Sequence, residues 1–201
     1  MTIRRPVTGA GFVWLVRHAP TAWTGRRWCG RSDPPLTTAG QAAAERVAAT
    51  VAAEVTATRP SSVVILTSPL RRAIETGRSI ADRLPASIEI DDGLAEIDFG
   101  VADGLTWDEL AVGEPALAAD ILAGAEPDWP GGETAADVAI RAAAVGERIV
   151  AAAQSSAVVV VSHAGLLRWI ARDLGANAVT QGLEPATAIQ LELTEHAPIC
   201  R

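Results

Sequence analysis

Phe12-Val13-Trp14-Leu15-Val16-Arg17-His18-Ala19-Pro20-Thr21 is an apolar run that stops at an Arg-His pair and a proline. A run of this length, bounded by turn formers, predicts a buried strand. Pro20 prevents its continuation, so Arg17 and His18 fall where the strand opens into a loop. In open α/β sheets that carboxyl edge is where ligands bind. A guanidinium matches phosphate oxygens through its planar fork, and a neutral imidazole nitrogen can attack phosphorus. The pair therefore points to an anion site, phosphate foremost. A surface Arg-His pair at a strand end would read the same way, so the interpretation needs partners elsewhere in the chain.

Working outward, Ala22 to Pro35 is a loop rich in Gly, Arg and Pro. Thr37 or Thr38 can cap a helix that runs to about Val55. Val63 to Ser68 reads as a second buried strand, and Pro69 suits the first turn of a helix from Leu70 to about Leu84. A short strand is expected at Ile88 to Ile90. Ile97 to Ile140 is irregular, with Pro115, Pro127, Pro130 and a Gly131-Gly132 pair. Thr134 then opens a long alanine-rich helix to about Ala153. Ala157 to Ser162 is the clearest strand, followed by His163-Ala164-Gly165 and a helix from Leu166 to Leu174. Ala188 to Leu193 alternates like an antiparallel edge strand. Strands alternating with helices predict an α/β fold, a three-layer α/β/α sandwich with a mostly parallel sheet and one antiparallel edge strand. With no repeat, linker or low-complexity boundary, residues 1–201 are expected to form one domain with an irregular lid at about 97–140.

The 201 residues suffice for a substantial core, and no apolar run approaches the length of a membrane span. Met1 to Gly11 carries two arginines and no apolar stretch of the kind a secretory signal needs. Cys29 and Cys200 match no metal spacing, which leaves a reducing cytoplasm as the expected location. A net charge of −7 argues against nucleic acid as a partner, and a homodimer is compatible with the sequence. All 17 basic residues are arginine, so position, not abundance, has to identify the functional ones.

In a parallel sheet the ends of three strands meet on one edge. Arg17-His18, Ser68-Pro69-Leu70-Arg71-Arg72 and Ser162-His163 would converge there, and two of the three histidines with them. The motifs follow in order: Leu15-Val16-Arg17-His18 with Thr21, Asp33-x-Pro35-Leu36-Thr37-x-x-Gly40, and Ser68-x-Leu70-x-Arg72-Ala73-x-x-Thr76. Then come Glu96-x-x-x-Gly100 with Asp103-Gly104, Pro130-Gly131-Gly132-Glu133-Thr134, and Val161-Ser162-His163-Ala164-Gly165-x-x-Arg168. On these six motifs, covering about residues 12 to 170, the chain resembles the histidine phosphatase (phosphoglycerate-mutase-like) superfamily.

The resemblance implies that His18 is a nucleophile forming a phosphohistidine. Arg17, Arg72 and His163 would clamp the phosphoryl oxygens, and Glu96 would protonate the leaving oxygen and then activate water. It implies a small phosphomonoester as substrate, with no metal and no cofactor. Phosphoryl transfer depends on positioning and on charge around three equatorial oxygens, which guanidiniums and imidazole can supply. The other nitrogen of His18 then needs an acceptor that fixes the tautomer. A carboxyl that gives up a proton near neutral pH needs surroundings favouring its protonated form; Leu94, Ile97 and Phe99 are the apolar neighbours available to Glu96.

Arg72, directly before Ala73, matches the family arginine better than Arg71. Thr21, Thr24, Cys29, Gly30 and Ala164 are the expected substrate contacts. Arg26, Arg27 and Arg31 lie on the same loop, solvation being the more ordinary fate of each. Trp28 and Trp107 either pack or line the pocket, and His196 is expected to play no part. The sequence departs from the family at Ala19-Pro20, where Gly-Glu is usual, and at Thr24, where asparagine is common. The lid carries no arginine or lysine, yet has Asp98, Asp103, Asp108, Glu109, Glu114, Asp120, Glu126, Asp128 and Glu133. Like-charge repulsion there disfavours a multiply anionic substrate, hence a phosphatase over a phosphoglycerate mutase. Gly30-x-x-Asp33-x-Pro35-Leu36-Thr37 is similar to α-ribazole phosphatases. A catalytically silent phosphate-binding module is the reading from a different class.

Overall fold

The structure, a computed structural model, describes residues 11–176, 183–193 and 199–200. His196 lies outside them. The chain runs β1 (Gly11–Arg17), α1 (Thr38–Ala57), β2 (Val63–Thr67), α2 (Arg71–Ala81), β3 (Ala86–Ile90), α3 (Trp107–Gly113) and α4 (Pro115–Leu122). It continues with α5 (Ala135–Ala153), β4 (Ala157–Ser162), α6 (Ala164–Asp173), β5 (Ala188–Leu193) and β6 (Ile199–Cys200). The strands form one sheet in the order β3-β2-β4-β1-β5-β6. Strands β1 to β4 are mutually parallel, and β5 runs antiparallel to β1. The two-residue β6 pairs outside β5 along Leu191 and Glu192, so β5 is next to the edge and not the edge itself.

Side-chain alternation along buried strands builds the two outer layers. Val13 and Leu15 of β1, Val64 and Leu66 of β2, and Val158 and Val160 of β4 pack with α5, α6 and the lid. Trp14, Val16, Val63, Ile65, Val159 and Val161 point the other way, into the α1 and α2 layer. Trp14 is fully buried, and its indole N–H is satisfied by Glu54 of α1 at 2.9 Å. No helix among the described residues is long and apolar enough to cross a membrane.

Some boundaries differ from the sequence expectation for local reasons. Helix α2 starts at Arg71, because Ser68 Oγ accepts the Leu70 N–H and Asp33 accepts that of Arg71. Pro69 thus precedes the helix. It ends at Ala81, short of Leu84, before Pro85 and the start of β3. Helix α6 starts two residues early, at Ala164, since His163 is extended and acts as its N-cap. The lid is more regular than expected. Thr106 and Glu109 form a reciprocal capping box that starts α3, and Pro115 sits in the first turn of α4 instead of breaking it.

Thr37 caps α1, its hydroxyl accepting the Gly40 N–H at 2.9 Å. A side chain at Gly40 would put its Cβ 2.0 Å from the Pro20 carbonyl oxygen, two residues past His18. Gly40→Ala is therefore expected to cost about 1–3 kcal/mol, read as a lower urea midpoint at unchanged slope, and to lower turnover by displacing Pro20. Gly113→Ala, with nothing within 4 Å of its Cβ, should stay within about 1 kcal/mol of wild type.

Candidate active site

The carboxyl ends of three adjacent strands are stitched together by backbone. Arg17 pairs with Ser162 across β1 and β4, the His18 N–H reaches Ser162 O at 2.9 Å, and Ser68 N–H reaches Val161 O at 3.0 Å. This register leaves His18, His163 and Ser68 no choice but to stand side by side. The two imidazole centroids are 5.0 Å apart, tilted by 57°. His163 Nε2 lies 2.7 Å from the Ser68 hydroxyl.

Neighbours define the His18 tautomer. Its Nδ1 lies 2.7 Å from the Ala19 carbonyl oxygen, which only accepts, so Nδ1 carries the proton. Its Nε2 receives the Arg72 Nε–H at 3.3 Å, so Nε2 presents a lone pair. Burial, reinforced by the Arg72 guanidinium, pushes the His18 pKa down to about 3, against the opposing pull of the Ala19 carbonyl. His163 is held well below its ordinary value by burial and then by His18 and Arg72. Both rings are thus neutral near pH 7, and the His18 lone pair is available as a nucleophile.

Arg72 is fully buried. Its Nη1 donates to Ser32 O at 2.7 Å, and its Nη2 to Gly30 O at 2.9 Å and Cys29 O at 3.2 Å. Asp33 lies 3.7 Å away. The loop presenting these carbonyls is in turn held by Asp103 of the lid, whose two oxygens accept the Gly30 and Ser32 N–H groups at 3.0 and 2.7 Å. Arg71, by contrast, is exposed and pairs with Glu75. Arg17 donates through Nη1 to Leu183 O at 2.7 Å, while its Nε has no partner among the described residues. Burial lowers the Arg17 pKa, with Glu96 and Glu184 opposing the shift.

Glu96 is buried and held by three backbone donors, two of them from the amino end of α6. Oε1 accepts from Ile97 N at 2.9 Å and Leu166 N at 3.0 Å; Oε2 accepts from Gly165 N at 3.3 Å. Gly165 is required by this approach, because a Cβ there would lie 2.7 Å from Oε1.

Arg17, His18, Glu96, Thr21, Thr24, Cys29 and Ala164 all line one cavity of about 510 Å³. Arg72 and His163 do not line it: both are fully buried, and each stands against His18, Arg72 through its Nε–H and His163 ring to ring. Gly30 does not line it: its carbonyl serves Arg72, and its Cα lies against Ile97 O, which a Cβ would meet at 2.7 Å. Thr24 does line it, though its hydroxyl is engaged with the Thr21 N–H at 2.9 Å. Burial raises the Cys29 pKa, leaving a protonated thiol in the wall. Of the three loop arginines, only Arg27 lines the cavity, and it is tied to Gly104 O and Glu109. Trp28 both packs and lines the cavity, against Phe99 and Trp129 at centroid distances of 5.3 Å; Trp107 lies 6.5 Å from it and is partly exposed.

Sequence reasoning did not single out Ser68, Asp103, Glu126, Trp129 or Trp169 as site residues. Asp103 and Ser68 stood in quoted motifs, which was a usable signal. Glu126, Trp129 and Trp169 are placed by tertiary structure alone.

Removing the Asp103 carboxylate should loosen the loop around Arg72: Asp103→Ala is expected to cut kcat/KM about 10–100-fold with unchanged far-UV circular dichroism. A second expectation concerns pH. In the unfolded chain His18 titrates near 6.5, but in the folded protein near 3. Between these values the unfolded state binds the extra proton, so this stability is whole above about pH 6.5 and is lost as pH falls towards 3. Unfolding free energies from urea titrations should drop across that window, by up to about 1.4 kcal/mol per pH unit for each such histidine, and His18→Gln should flatten the slope.

The description "histidine phosphatase superfamily (branch 1)" matches residues 13–199. A bifunctional protein of Mycobacterium tuberculosis is 35% identical over 159 residues, covering 79% of this chain but 42% of that protein, so the chain spans under half its length. A glucosyl-3-phosphoglycerate phosphatase of Mycolicibacterium vanbaalenii is 33% identical over 163 residues, 76% of this chain and 69% of the relative. A probable phosphoglycerate mutase of Enterobacter is 33% identical over 154 residues, 75% and 68% of the two chains. Among solved structures, a mycobacterial glucosyl-3-phosphoglycerate phosphatase superimposes with a TM-score of 0.76 at 26% identity over 96% of this chain and 97% of its own. The fold built around the His18–Arg72 contact is thus shared along nearly the whole chain, which belongs to the histidine phosphatase superfamily, branch 1.

Proposed function

We propose that the protein is a metal-independent phosphomonoesterase that acts on a small phosphorylated metabolite in the cytoplasm, as one domain. The observation that carries this reading is the His18 Nε2 lone pair, held neutral between Ala19 O and Arg72 on the floor of a cavity shared with Arg17 and Glu96. Arrival of the phosphoryl group would draw the Arg72 Nε–H from His18 to a phosphoryl oxygen. Nε2 then attacks phosphorus, the P–O ester bond breaks, and Glu96 gives a proton to the departing alkoxide. The phosphoimidazolium keeps its Nδ1–H on Ala19 O. Water, deprotonated by Glu96, attacks phosphorus in the second step, the P–N bond breaks, and inorganic phosphate leaves. Arg17, Arg72 and the His163 site supply fixed dipoles and charge throughout.

Hydrolysis is favoured over mutase transfer by the lid. Most of its carboxylates are engaged structurally: Glu133 with Arg141, Asp103 with the 30–32 loop, and Glu109 with its own helix cap. Only Glu126 among them lines the cavity, and no lid cation is present to hold a second anion. α-Ribazole 5′-phosphate is a candidate substrate, supported by the Gly30 to Thr37 segment and by a fold shared with a putative α-ribazole-5′-phosphate phosphatase of Escherichia coli at a TM-score of 0.77.

The test is phosphate release with chelator present, from p-nitrophenyl phosphate, α-ribazole 5′-phosphate, sugar and nucleotide monophosphates and 3-phosphoglycerate. Release should persist with chelator and fall by about three orders of magnitude or more in His18→Ala. Chelator-sensitive release, or release unaffected in the variant, would overturn the mechanism. Phosphoryl transfer to a bisphosphate in place of water would identify a mutase, and tight phosphate binding without turnover a silent module.

A further inference from the structure

The part of the cavity away from His18 is built of aromatic and aliphatic side chains. Trp28, Phe99 and Trp129 form one cluster, with Phe99 and Trp129 centroids 4.5 Å apart, and Ile121, Trp169 and Leu183 complete the wall. One cation on α6 lines this region: Arg168, one helical turn beyond the Ala164-Gly165 pair at the anion site. A guanidinium at that distance from the phosphoryl site is suited to a second anionic group on the substrate, such as a carboxylate.

Here the Nη2 of that guanidinium and its charge are already answered, while its Nε is buried without a partner among the described residues. Glu126, in the segment after α4, pairs with α6 in the cavity wall. Its Oε2 accepts from Arg168 Nη2 at 2.7 Å and its Oε1 from Arg172 Nη1 at 2.7 Å. Glu126 itself lines the cavity and is only 26% exposed. Arg172 is turned to the outside of Trp169, its guanidinium carbon 5.5 Å from the ring centroid, and does not line the cavity. Of the two other arginines that line the cavity, Arg17 stands at the His18 end and Arg27 is likewise answered by a carboxylate, Glu109 at 3.3 Å. A substrate with a second anion would have to displace Glu126 from Arg168 and then sit beside a released carboxylate. An uncharged aromatic leaving group meets no such cost and packs on the tryptophans.

We propose that Glu126 is a specificity-determining residue: by occupying Arg168 it restricts the enzyme to phosphomonoesters whose leaving group is uncharged and aromatic. The proposal rests on the phosphomonoesterase reading of the His18 site. It differs from a purely mechanical role, in which Glu126 would latch the lid to α6 and treat all substrates alike.

The experiment compares phenyl phosphate with 3-phosphoglycerate on wild type, Glu126→Gln, Arg168→Ala and the double variant. Wild type should favour phenyl phosphate in kcat/KM. Glu126→Gln should move the ratio about tenfold or more towards 3-phosphoglycerate by freeing Arg168, and the double variant should return it to the wild-type side. Equal losses on both substrates, or a ratio unchanged within about twofold, would overturn the proposal. Calorimetric binding of both esters in a His18→Ala background gives a readout that needs no turnover. A shifted Kd ratio with no hydrolysis by the His18 enzyme would support the filter while rejecting the phosphatase reading. An unshifted ratio with normal hydrolysis would reject the filter alone, and binding of neither ester would reject both.

Discussion

A guanidinium with no exposure to water is the constraint around which this molecule is arranged. Burying an ion costs several kcal/mol unless its donors are met, and Arg72 is met almost entirely by carbonyl oxygens and one imidazole lone pair. Carbonyls neutralise no charge, and the nearby carboxylate, Asp33 at 3.7 Å, is partly exposed to water, so the cation keeps much of its field while its donors are met. Burial first, with that field added to it, depresses both neighbouring histidines. The arrangement needs the 29–32 loop in one conformation, and three separate elements enforce it: Asp103 from the lid, Asp33 through the first turn of α2, and the close approach of Gly30 to Ile97.

The consequence is a site that is positive and neutral at once. Two guanidiniums face two uncharged imidazoles, with Glu96 pinned by the amino end of α6. An incoming phosphoryl dianion would supply the missing negative charge, which makes binding and electrostatic preparation the same event. Arg17 Nε is buried without a partner among the described residues and lines the cavity, so an oxygen acceptor there would satisfy it; the same holds farther along the wall for Arg168 Nε and Trp169 Nε1.

The departures from the family pattern are absorbed by backbone. Ala19 needs no special side chain: its carbonyl takes His18 Nδ1, and its N–H goes to the Thr76 hydroxyl at 3.0 Å. Pro20 cannot donate, yet its carbonyl accepts from Thr37 and lies against Gly40. What was legible in the sequence follows the same division. Strand ends are set by local periodicity, so Arg17, His18 and His163 could be placed on one edge, and the family motif's arginine directly before alanine separates Arg72 from Arg71, in accord with the burial of the one and the exposure of the other. Gly30 read as a substrate contact because motif position does not distinguish a residue that touches the ligand from one that holds Arg72. The lid helices were hidden because Pro115 reads as a breaker but acts as a first-turn residue. Glu126 and Trp169 were hidden because their roles exist only once the segment after α4 crosses to α6.

That crossing explains how chemistry and selectivity are kept apart on one small cavity. The lid touches the loop that holds Arg72 at Asp103 and helix α6 at Glu126. Asp103 works through the backbone N–H groups of residues 30 and 32, so it stabilises the loop without reading the substrate. Glu126 works through a side-chain pair in the wall, where a change of one charge alters what the cavity admits but leaves His18, Arg72 and their carbonyl shell in place. A fold so divided can keep the anion site constant while the lid's far end varies.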